Sequence, residues 1–267
     1  MSGSLALVTG ATGGLGGALS HALAQRGHDL LLVGRNKTRL DTLCSTIRSE
    51  YGGSVEGLRL DLSASDSIDT LLSACEDRPL RVVALAAASY AHGPLASLDP
   101  DQHAALLQCN VIQQAALVQR LLARLDQEGE GSMLVVGSLG ALLPAPGHAA
   151  YSASKAWLHQ LVSSVQAERG KSPVTLTLAC PGGMATPMLL ESPAWPVMKR
   201  SRLIRASVLS PTQAARQILL GMDRGRWRVV PGWINRATVL LCHLLPHGLA
   251  IHLSARIYPQ QASTSSR

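Results

Sequence analysis

Short apolar runs recur along the chain and alternate with longer stretches that mix apolar and polar residues. A strand buried on both faces of a parallel sheet has such a run, whereas the mixed stretches have helix-compatible patterns. The runs lie at residues 5–8, 30–33, 81–85, 133–136 and 174–178. The mixed stretches lie at residues 15–26, 36–50, 65–77, 100–125 and 151–169. This repeated order of strand and helix predicts an α/β fold with a doubly wound parallel sheet.

The pattern is irregular between residues 185 and 209. Prolines interrupt regular structure there, and large apolar residues stand between them. These residues are Pro187, Met188, Leu189, Leu190, Pro193, Trp195, Pro196, Val197 and Met198. We expect either a lid over an apolar pocket or an ordinary packed loop. Regular structure then resumes, because Ser210 and Pro211 suit the N-cap and first position of a helix over residues 211–221.

The last part of the chain, residues 231–267, is predicted to be an amphipathic extension of a single domain at residues 1–230. Between residues 233 and 258, leucines and isoleucines are mixed with arginines and histidines. Pro246 and the polar residues keep every apolar run below the roughly 18 residues that span a bilayer. Two alternatives remain: helices lying in a membrane interface, or packing against the core or a second subunit.

Composition restricts the classes of protein that fit this chain. Hydrophobic residues make up 46% of its 267 residues, enough for a substantial core. The formal charge of +7 favours anionic ligands or membrane surfaces without distinguishing them. Five cysteines, without a C-x-x-C pair, argue against a disulfide framework or a zinc site. We expect a cytoplasmic protein, since the apolar run at Leu5 begins too early for a secretory signal.

A glycine-rich turn directly follows the first predicted strand and leads into the first predicted helix. Glycines here allow a tight turn, let backbone N–H groups approach a pyrophosphate, and permit close packing of helix on sheet. The turn therefore predicts a Rossmann-like dinucleotide-binding domain. Its expected cofactor contacts are Gly10, Thr12, Gly13, Gly14, Leu15 and Gly16.

The residue after the second predicted strand bears on which dinucleotide is bound. NAD-binding proteins of this type normally have an acidic residue there, which holds the adenosine ribose. This chain has Arg35, whose guanidinium can grip a 2′-phosphate, and NADP(H) is therefore favoured. The alternative for Arg35 is a solvated loop charge. Asp61 and Leu62 are expected to touch adenine, unless Asp61 only caps a turn.

Tyr151 and Lys155 are four residues apart on a predicted helix and so share one face. A nearby ammonium stabilises phenolate, and we expect it to lower the pKa of Tyr151 from about 10 toward neutrality. Tyr151 then becomes a usable acid–base group. Ser138 follows the strand at residues 133–136, at the edge where α/β sheets bind ligands.

With these motifs in this order, the chain resembles the short-chain dehydrogenase/reductase family over most of residues 4–220. The resemblance implies that Tyr151 exchanges a proton with the substrate oxygen. It implies that Lys155 lowers the tyrosine pKa and binds the nicotinamide ribose, and that Ser138 hydrogen-bonds the substrate oxygen. Asn110 would hold a water in the proton relay. The alternatives are a helix cap for Ser138 and a buried residue bonded to backbone for Asn110.

The segment after the strand at residues 174–178 also resembles the family. There Pro181 and Gly182 would shape the loop beside the nicotinamide, and Thr186 would contact its carboxamide. One stretch departs from the family, which usually has Asn-Asn-Ala-Gly where this chain has four apolar residues at 85–88. The change removes polar anchors of the sheet and the cofactor floor, to which Ala87 is expected to contribute.

The combined motifs predict an NADP(H)-dependent oxidoreductase that interconverts a carbonyl and a secondary alcohol without a metal. The apolar segment 185–209 favours an apolar or amphipathic substrate, such as an acyl chain, sterol or polyketide. His92 is either a substrate contact or an exposed loop residue. A catalytically silent regulatory or membrane-associated scaffold is the alternative, which the altered residues 85–88 favour. The resemblance to the family also implies a homodimer or homotetramer. Nucleic-acid binding is not expected, because the basic residues at 199–205 lack the aromatic platform that it requires.

Overall fold

The computed structural model describes residues 3–64, 66–142, 144–192, 195–245, 248, 249 and 251. In this part of the chain seven strands form one parallel sheet, in the order β3-β2-β1-β4-β5-β6-β7. The strands are β1 (Leu5–Thr9), β2 (Asp29–Gly34), β3 (Val55–Arg59), β4 (Leu80–Leu85), β5 (Ser132–Val136), β6 (Thr175–Ala179) and β7 (Arg228–Val229). The prediction of a doubly wound, Rossmann-like parallel sheet is confirmed.

Helices cover both faces of the sheet. One face packs against α1, α2 and α10, and the other packs against α3, α5 and α6, so that each face has its own hydrophobic core. The helices are α1 (Gly14–Gln25), α2 (Lys37–Tyr51), α3 (Ser67–Ser73), α4 (Pro100–Leu107), α5 (Gln114–Glu128), α6 (Ala149–Arg169), α7 (Pro187–Leu190), α8 (Trp195–Met198), α9 (Arg202–Ser207), α10 (Pro211–Asp223) and α11 (Trp233–Leu244).

The start of α10 is a capping box, as Ser210 and Pro211 led us to expect. The Ser210 hydroxyl accepts a hydrogen bond from the Gln213 backbone N–H at 3.2 Å. In return, Gln213 Oε1 accepts one from the Ser210 N–H, also at 3.2 Å. Two N–H groups that the helix leaves unpaired are thereby satisfied, which fixes where α10 begins.

The helix predicted over residues 100–125 is not continuous. A π-helical turn, Gln108–Gln113, separates α4 from α5. Such wide turns are rare and occur mostly at functional sites. This one contains Asn110, whose side chain is fully buried.

The two ends of the irregular segment after β6 are hydrogen-bonded to each other. Met184 and Leu209 form a parallel bridge. Ala185 N–H donates to the Leu209 carbonyl at 2.9 Å, and Leu209 N–H donates to the Gly183 carbonyl at 3.2 Å. The segment between them contains the short helices α7, α8 and α9, while Pro193 lies outside the described residues.

The C-terminal extension begins with α11, which packs against α9. Ile234, Asn235 and Val239 are buried on its inner side. None of the helices in the described part of the chain is both long and apolar enough to cross a membrane. Much of the predicted 233–258 tail, including Pro246 and residues 252–258, lies outside the described residues.

Candidate active site

A cavity of about 600 Å³ opens at the carboxyl ends of the strands. Its walls come from the residues that follow β1, β2, β4, β5 and β6. In a doubly wound sheet this edge is the place for a ligand, because the crossover connections diverge there between β1 and β4. The volume is in the usual range for small-molecule sites, roughly 300–1,000 Å³.

The glycine-rich turn forms one wall, and all six residues predicted from it line the cavity. Gly10 has a φ of +66°, and a Cβ there would lie 2.7 Å from the backbone of Ala87. A Cβ on Gly16 would collide with the Gly10 carbonyl oxygen. Side chains are thus excluded at both positions, and the N-terminus of α1 is left open to an anionic group. This cradle fits the pyrophosphate of a dinucleotide.

Arg35 is exposed at one end of the cavity and forms no ion pair with any described carboxylate. Arg39, one helical turn further on, also lines the cavity. Arg39 was not among the residues predicted from the sequence, although its i,i+4 spacing from Arg35 was a usable signal. Two guanidinium groups are therefore available to one phosphate at this end.

Asp61 and Leu62, which were predicted to touch adenine, both line the cavity. Asp61 also caps a turn, because its Oδ1 accepts hydrogen bonds from the Ser63 N–H at 3.0 Å and the Ser63 hydroxyl at 2.8 Å. These bonds, together with the positive charge of Arg35, lower the pKa of Asp61. The two interpretations of Asp61 are compatible.

The apolar stretch 85–88 is held by polar side chains from elsewhere in the chain. The Thr9 hydroxyl accepts from the Ala87 N–H at 3.3 Å, and the Gln114 amide donates to the Ala87 carbonyl at 2.9 Å. Both of these side chains are buried. Ala87, which was predicted to contribute to the cofactor floor, lines the cavity. Thr9 and Gln114, which were not predicted from the sequence, hold this part of the cavity wall without the asparagines.

Asn110 lies behind the cavity wall and is not among the residues that line it. Its Oδ1 accepts from the Ser89 N–H at 2.7 Å, and its amide donates to the Ser89 carbonyl at 2.8 Å and to the Ser154 hydroxyl at 3.1 Å. These contacts match the alternative of a buried residue bonded to backbone. Asn110 therefore positions the strand-end segment, and the structure does not bring it into contact with the cofactor space.

Ser138, Tyr151 and Lys155 meet at the centre of the cavity wall. The Ser138 hydroxyl accepts from the Gly140 N–H at 3.1 Å, so it caps a short 3₁₀ turn as well. That bond uses a lone pair and leaves the hydroxyl proton free to donate. Burial raises the pKa of Tyr151, and a hydrogen bond with Ser138 acts in the opposite direction. The expected lowering of the Tyr151 pKa by Lys155 is therefore wrong for the protein's own groups.

Lys155 is almost completely buried, with 1% of its surface exposed. Its Nζ donates to the Val136 carbonyl at 2.9 Å and lies 5.9 Å from the centre of the Tyr151 ring. Burial lowers the pKa of Lys155 to about 8. The ammonium group is thus held beneath the tyrosine at the end of β5.

An aromatic cluster adjoins Tyr151. The Tyr90 ring packs edge-on against Tyr151 at 5.3 Å between centroids and against His148 at 5.6 Å. Burial lowers the pKa of His148, so this imidazole is neutral near pH 7. Tyr90 and His148 line the cavity, whereas His92 packs on His148 at 4.8 Å behind them. His92 is half-buried and does not line the cavity, so it is neither an exposed loop residue nor a substrate contact. It supports the cavity wall through His148.

The part of the cavity that follows β6 is apolar. Pro181, Gly182 and Thr186, which were predicted to lie beside the nicotinamide, line it. Of the apolar residues that the irregular segment offered, Met188, Leu189 and Met198 line the cavity, and Leu190, Trp195 and Val197 do not. The segment is therefore part of the pocket and not merely an ordinary loop. Cys180 is buried beneath, and burial raises its thiol pKa to about 12, in line with a packing role.

Asn235 of α11 connects the C-terminal extension to this loop. A Cβ on Gly182 would lie 2.7 Å from Asn235 Oδ1, so the amide is in close contact with the cofactor-side loop. The same amide donates to the Pro231 carbonyl at 2.9 Å and to the Ser207 carbonyl at 3.2 Å. One buried side chain thus ties together α11, the Pro181–Gly182 loop and the end of α9.

Several known proteins are similar in sequence to this chain. A family model described as short chain dehydrogenase matches residues 4–196. A 7beta-hydroxysteroid dehydrogenase from Clostridium sardiniense is 30% identical over 190 residues, which cover 71% of this chain and 73% of the relative.

Two solved structures bear on the fold and the cofactor. A short-chain dehydrogenase from Sphingobium yanoikuyae in complex with NADPH superimposes with a TM-score of 0.77 at 25% identity, covering 98% of this chain and 99% of that one. A short chain dehydrogenase/reductase from Burkholderia phymatum in complex with NAD has a TM-score of 0.80 at 22% identity, with coverages of 91% and 94%. The second likeness shows the fold alone.

Proposed function

Because the chain belongs to the short-chain dehydrogenase family, we propose that it transfers hydride between NADP(H) and the carbonyl or secondary alcohol of an apolar or amphipathic substrate. Membership of this family supports an oxidoreductase that uses a nicotinamide cofactor. The observation that carries the proposal is the meeting of Ser138, Tyr151 and Lys155 in a cavity that also contains the glycine cradle. The preference for NADP(H) rests on Arg35 and Arg39.

The chain's own residues handle the substrate oxygen in this proposal. When bound, the nicotinamide supplies or accepts the hydride. Ser138 donates a hydrogen bond to the substrate oxygen, and Tyr151 gives that oxygen its proton during reduction or removes it during oxidation. The raised pKa of Tyr151 keeps the phenol protonated near neutral pH, which suits proton donation and hence reduction. Lys155, which lines the cavity, would hold the nicotinamide ribose hydroxyls in this proposal.

A bulky alicyclic ketone or alcohol is the substrate class that we favour. Met188, Leu189 and Met198 offer flexible apolar contacts, and Tyr90 adds an aromatic surface beside Tyr151. A relative that matches most of the chain is a hydroxysteroid dehydrogenase, which supports a sterol-like skeleton over a small polar carbonyl.

The test is NADPH consumption by the purified protein with a panel of carbonyl compounds. The panel includes keto-steroids, long-chain 3-oxoacyl thioesters and small polar ketones. We expect turnover of the bulky apolar members and none of the small polar ones. Binding of NADPH without turnover of any member, in both directions, would instead favour the catalytically silent scaffold.

Arg35 and Arg39 are expected to determine the cofactor preference. The double substitution Arg35→Gln/Arg39→Gln should raise the KM for NADPH by at least about 100-fold, because charge-assisted bonds to a phosphate each contribute about 1.5–3 kcal/mol and both are lost. The KM for NADH should change little. Steady-state kinetics with both cofactors measure the ratio. Arg120→Gln, on α5 at the opposite face of the sheet, is the matched control, and an equal loss with NADH and NADPH would contradict the assignment.

A homodimer or homotetramer and a cytoplasmic location stay predictions. In support of self-association, Leu107, Ile112 and Trp157 expose between 38% and 56% of their surface on or between helices α4 and α6. Binding of nucleic acid is still not expected.

A further inference from the structure

A second groove lies on the far side of the molecule from the sheet edge formed by β3. It has a volume of about 710 Å³ and runs between α10, β7 and α11. Its polar lining is dominated by four arginines, and its apolar lining comes from the two helices. The arginines are Arg224, Arg226, Arg228 and Arg236, and the apolar residues include Leu220, Val239 and Leu240.

Among the residues that the structure describes, none neutralises the positive charge of this groove. None of the four arginines forms an ion pair with a carboxylate in the described part of the chain. Arg228 instead lies over the ring of Trp227, 5.0 Å from its centre. The last acidic residue of the sequence is Asp223, which already bonds Arg26 at 2.9 Å. Residues 224–267 contain six arginines and no aspartate or glutamate.

Beside the groove, α11 presents an apolar face to the outside. Trp233, Leu240 and Leu244 are 71%, 64% and 73% exposed, and their spacing puts them on one side of the helix. Ile234 and Val239 are buried on the other side. A surface helix of a globular domain normally has polar residues on its outer side. Helix α11 departs from this rule, because it has apolar residues on both sides.

We propose that the arginine groove and the outer face of α11 dock onto the surface of an anionic lipid bilayer. Arginines pair with phosphate headgroups, while tryptophan and leucine insert at the boundary between headgroups and acyl chains. The tail as a whole was a candidate for membrane contact from its sequence, and the structure adds the groove, its four arginines and the exposed stripe. The proposal does not depend on the catalytic activity.

Charge argues against the other occupants of this surface. A two-fold interface with a second copy would bring the same four arginines together without carboxylates between them. The rest of the chain, residues 252–267, contributes two arginines and no acidic side chain, so it offers no complementary charge. An anionic partner with an apolar layer behind its charges matches both features.

The test is cosedimentation of the full-length protein with phosphatidylcholine vesicles, with and without phosphatidylglycerol. We expect binding only to the anionic vesicles and weaker binding as salt is raised. Arg224→Gln/Arg236→Gln should lower the partition coefficient about 20- to 30-fold, since each basic residue near an anionic bilayer contributes about fivefold. Leu240→Ser/Leu244→Ser should lower it as well, which attraction by charge alone would not produce.

The charge-matched control is Arg59→Gln/Arg120→Gln. Arg59 is on the opposite edge strand and Arg120 on the opposite face of the sheet, so this variant should bind vesicles like the parent protein. Equal losses in the groove and control variants, or no binding to anionic vesicles, would overturn the proposal. So would a stable dimer in solution that Leu240→Ser/Leu244→Ser converts to monomers, because a second copy would then cover this face. NADPH turnover is measured separately, so that failure of docking and failure of the enzymatic assignment are distinguished.

Discussion

Tyr151→Phe is expected to reduce kcat about 10³-fold while leaving NADPH binding almost unchanged. The substitution removes only the hydroxyl that exchanges a proton with the substrate oxygen, and general acid–base catalysis contributes about 10²- to 10⁴-fold. The ring and its edge contact with Tyr90 remain. Steady-state turnover with the best ketone of the panel, together with NADPH titration by fluorescence, measures the two effects separately.

Tyr51→Phe is the matched control for this experiment. Tyr51 also packs edge-on against an aromatic ring, His21, but lies at the end of α2 and does not line the cavity. Loss of the Tyr51 hydroxyl should leave kcat within about twofold. A surface substitution changes stability by only a few tenths of a kcal/mol, so the folded protein and its cavity stay intact. Full activity of Tyr151→Phe would remove the basis of the proposed proton transfer and shift attention to Ser138 or to bound water.

Lys155→Met is expected to lower activity by about 10²-fold or more and yet to make the folded protein more stable near neutral pH. Burial lowers the pKa of Lys155 to about 8 in the folded protein, against about 10.4 in an unfolded chain. Below pH 8 the folded state therefore carries an unfavourable buried charge of about 3 kcal/mol. Methionine removes that charge but leaves the Val136 carbonyl without its donor, which costs about 1–3 kcal/mol.

The sign of this effect depends on pH. The folded pKa lies below the unfolded one, so the cost is complete below pH 8 and vanishes as the pH rises toward about 10.5. Urea unfolding should show a gain of about 1 kcal/mol for Lys155→Met at about pH 7, and this gain should be lost at about pH 10. Lys171→Met, at an exposed position, controls for the change of residue type. A less stable Lys155→Met at neutral pH would mean that the ammonium is well solvated in the cavity.

The interior of the sheet could be predicted from the sequence, and its edges could not. Strands with both faces covered, such as β1 and β5, each contain four consecutive apolar residues, and that pattern is specific. At the edges, β3 is mostly exposed and β7 has only two residues, so neither carries the pattern. The π-helical turn around Asn110 escaped for another reason. Its side-chain periodicity resembles that of an α-helix, and only the backbone hydrogen bonds distinguish it.

In the candidate site, short sequence motifs could be predicted, whereas contacts between residues far apart in the chain could not. The glycine turn and the Tyr151–Lys155 pair are local patterns, and the structure brings them to one cavity. The roles of Thr9 and Gln114 depend on contacts with Ala87, far from both in the sequence, so spacing alone gave no sign of them. The pKa of Tyr151 was misjudged because the spacing of a cation was visible and the extent of burial was not.

The contacts of Asn235 also bear on how the protein folds as a unit. Its amide is packed against Gly182 and bonded to the carbonyls of Ser207 and Pro231, so α11 shares buried polar interactions with the loop that lines the cavity after β6. Buried polar groups that lose their partners cost far more than the bonds contributed. Opening of α11 from the body and loosening of the loop beside the cofactor are therefore one cooperative event, and a ligand that slows either should protect both from hydrogen exchange.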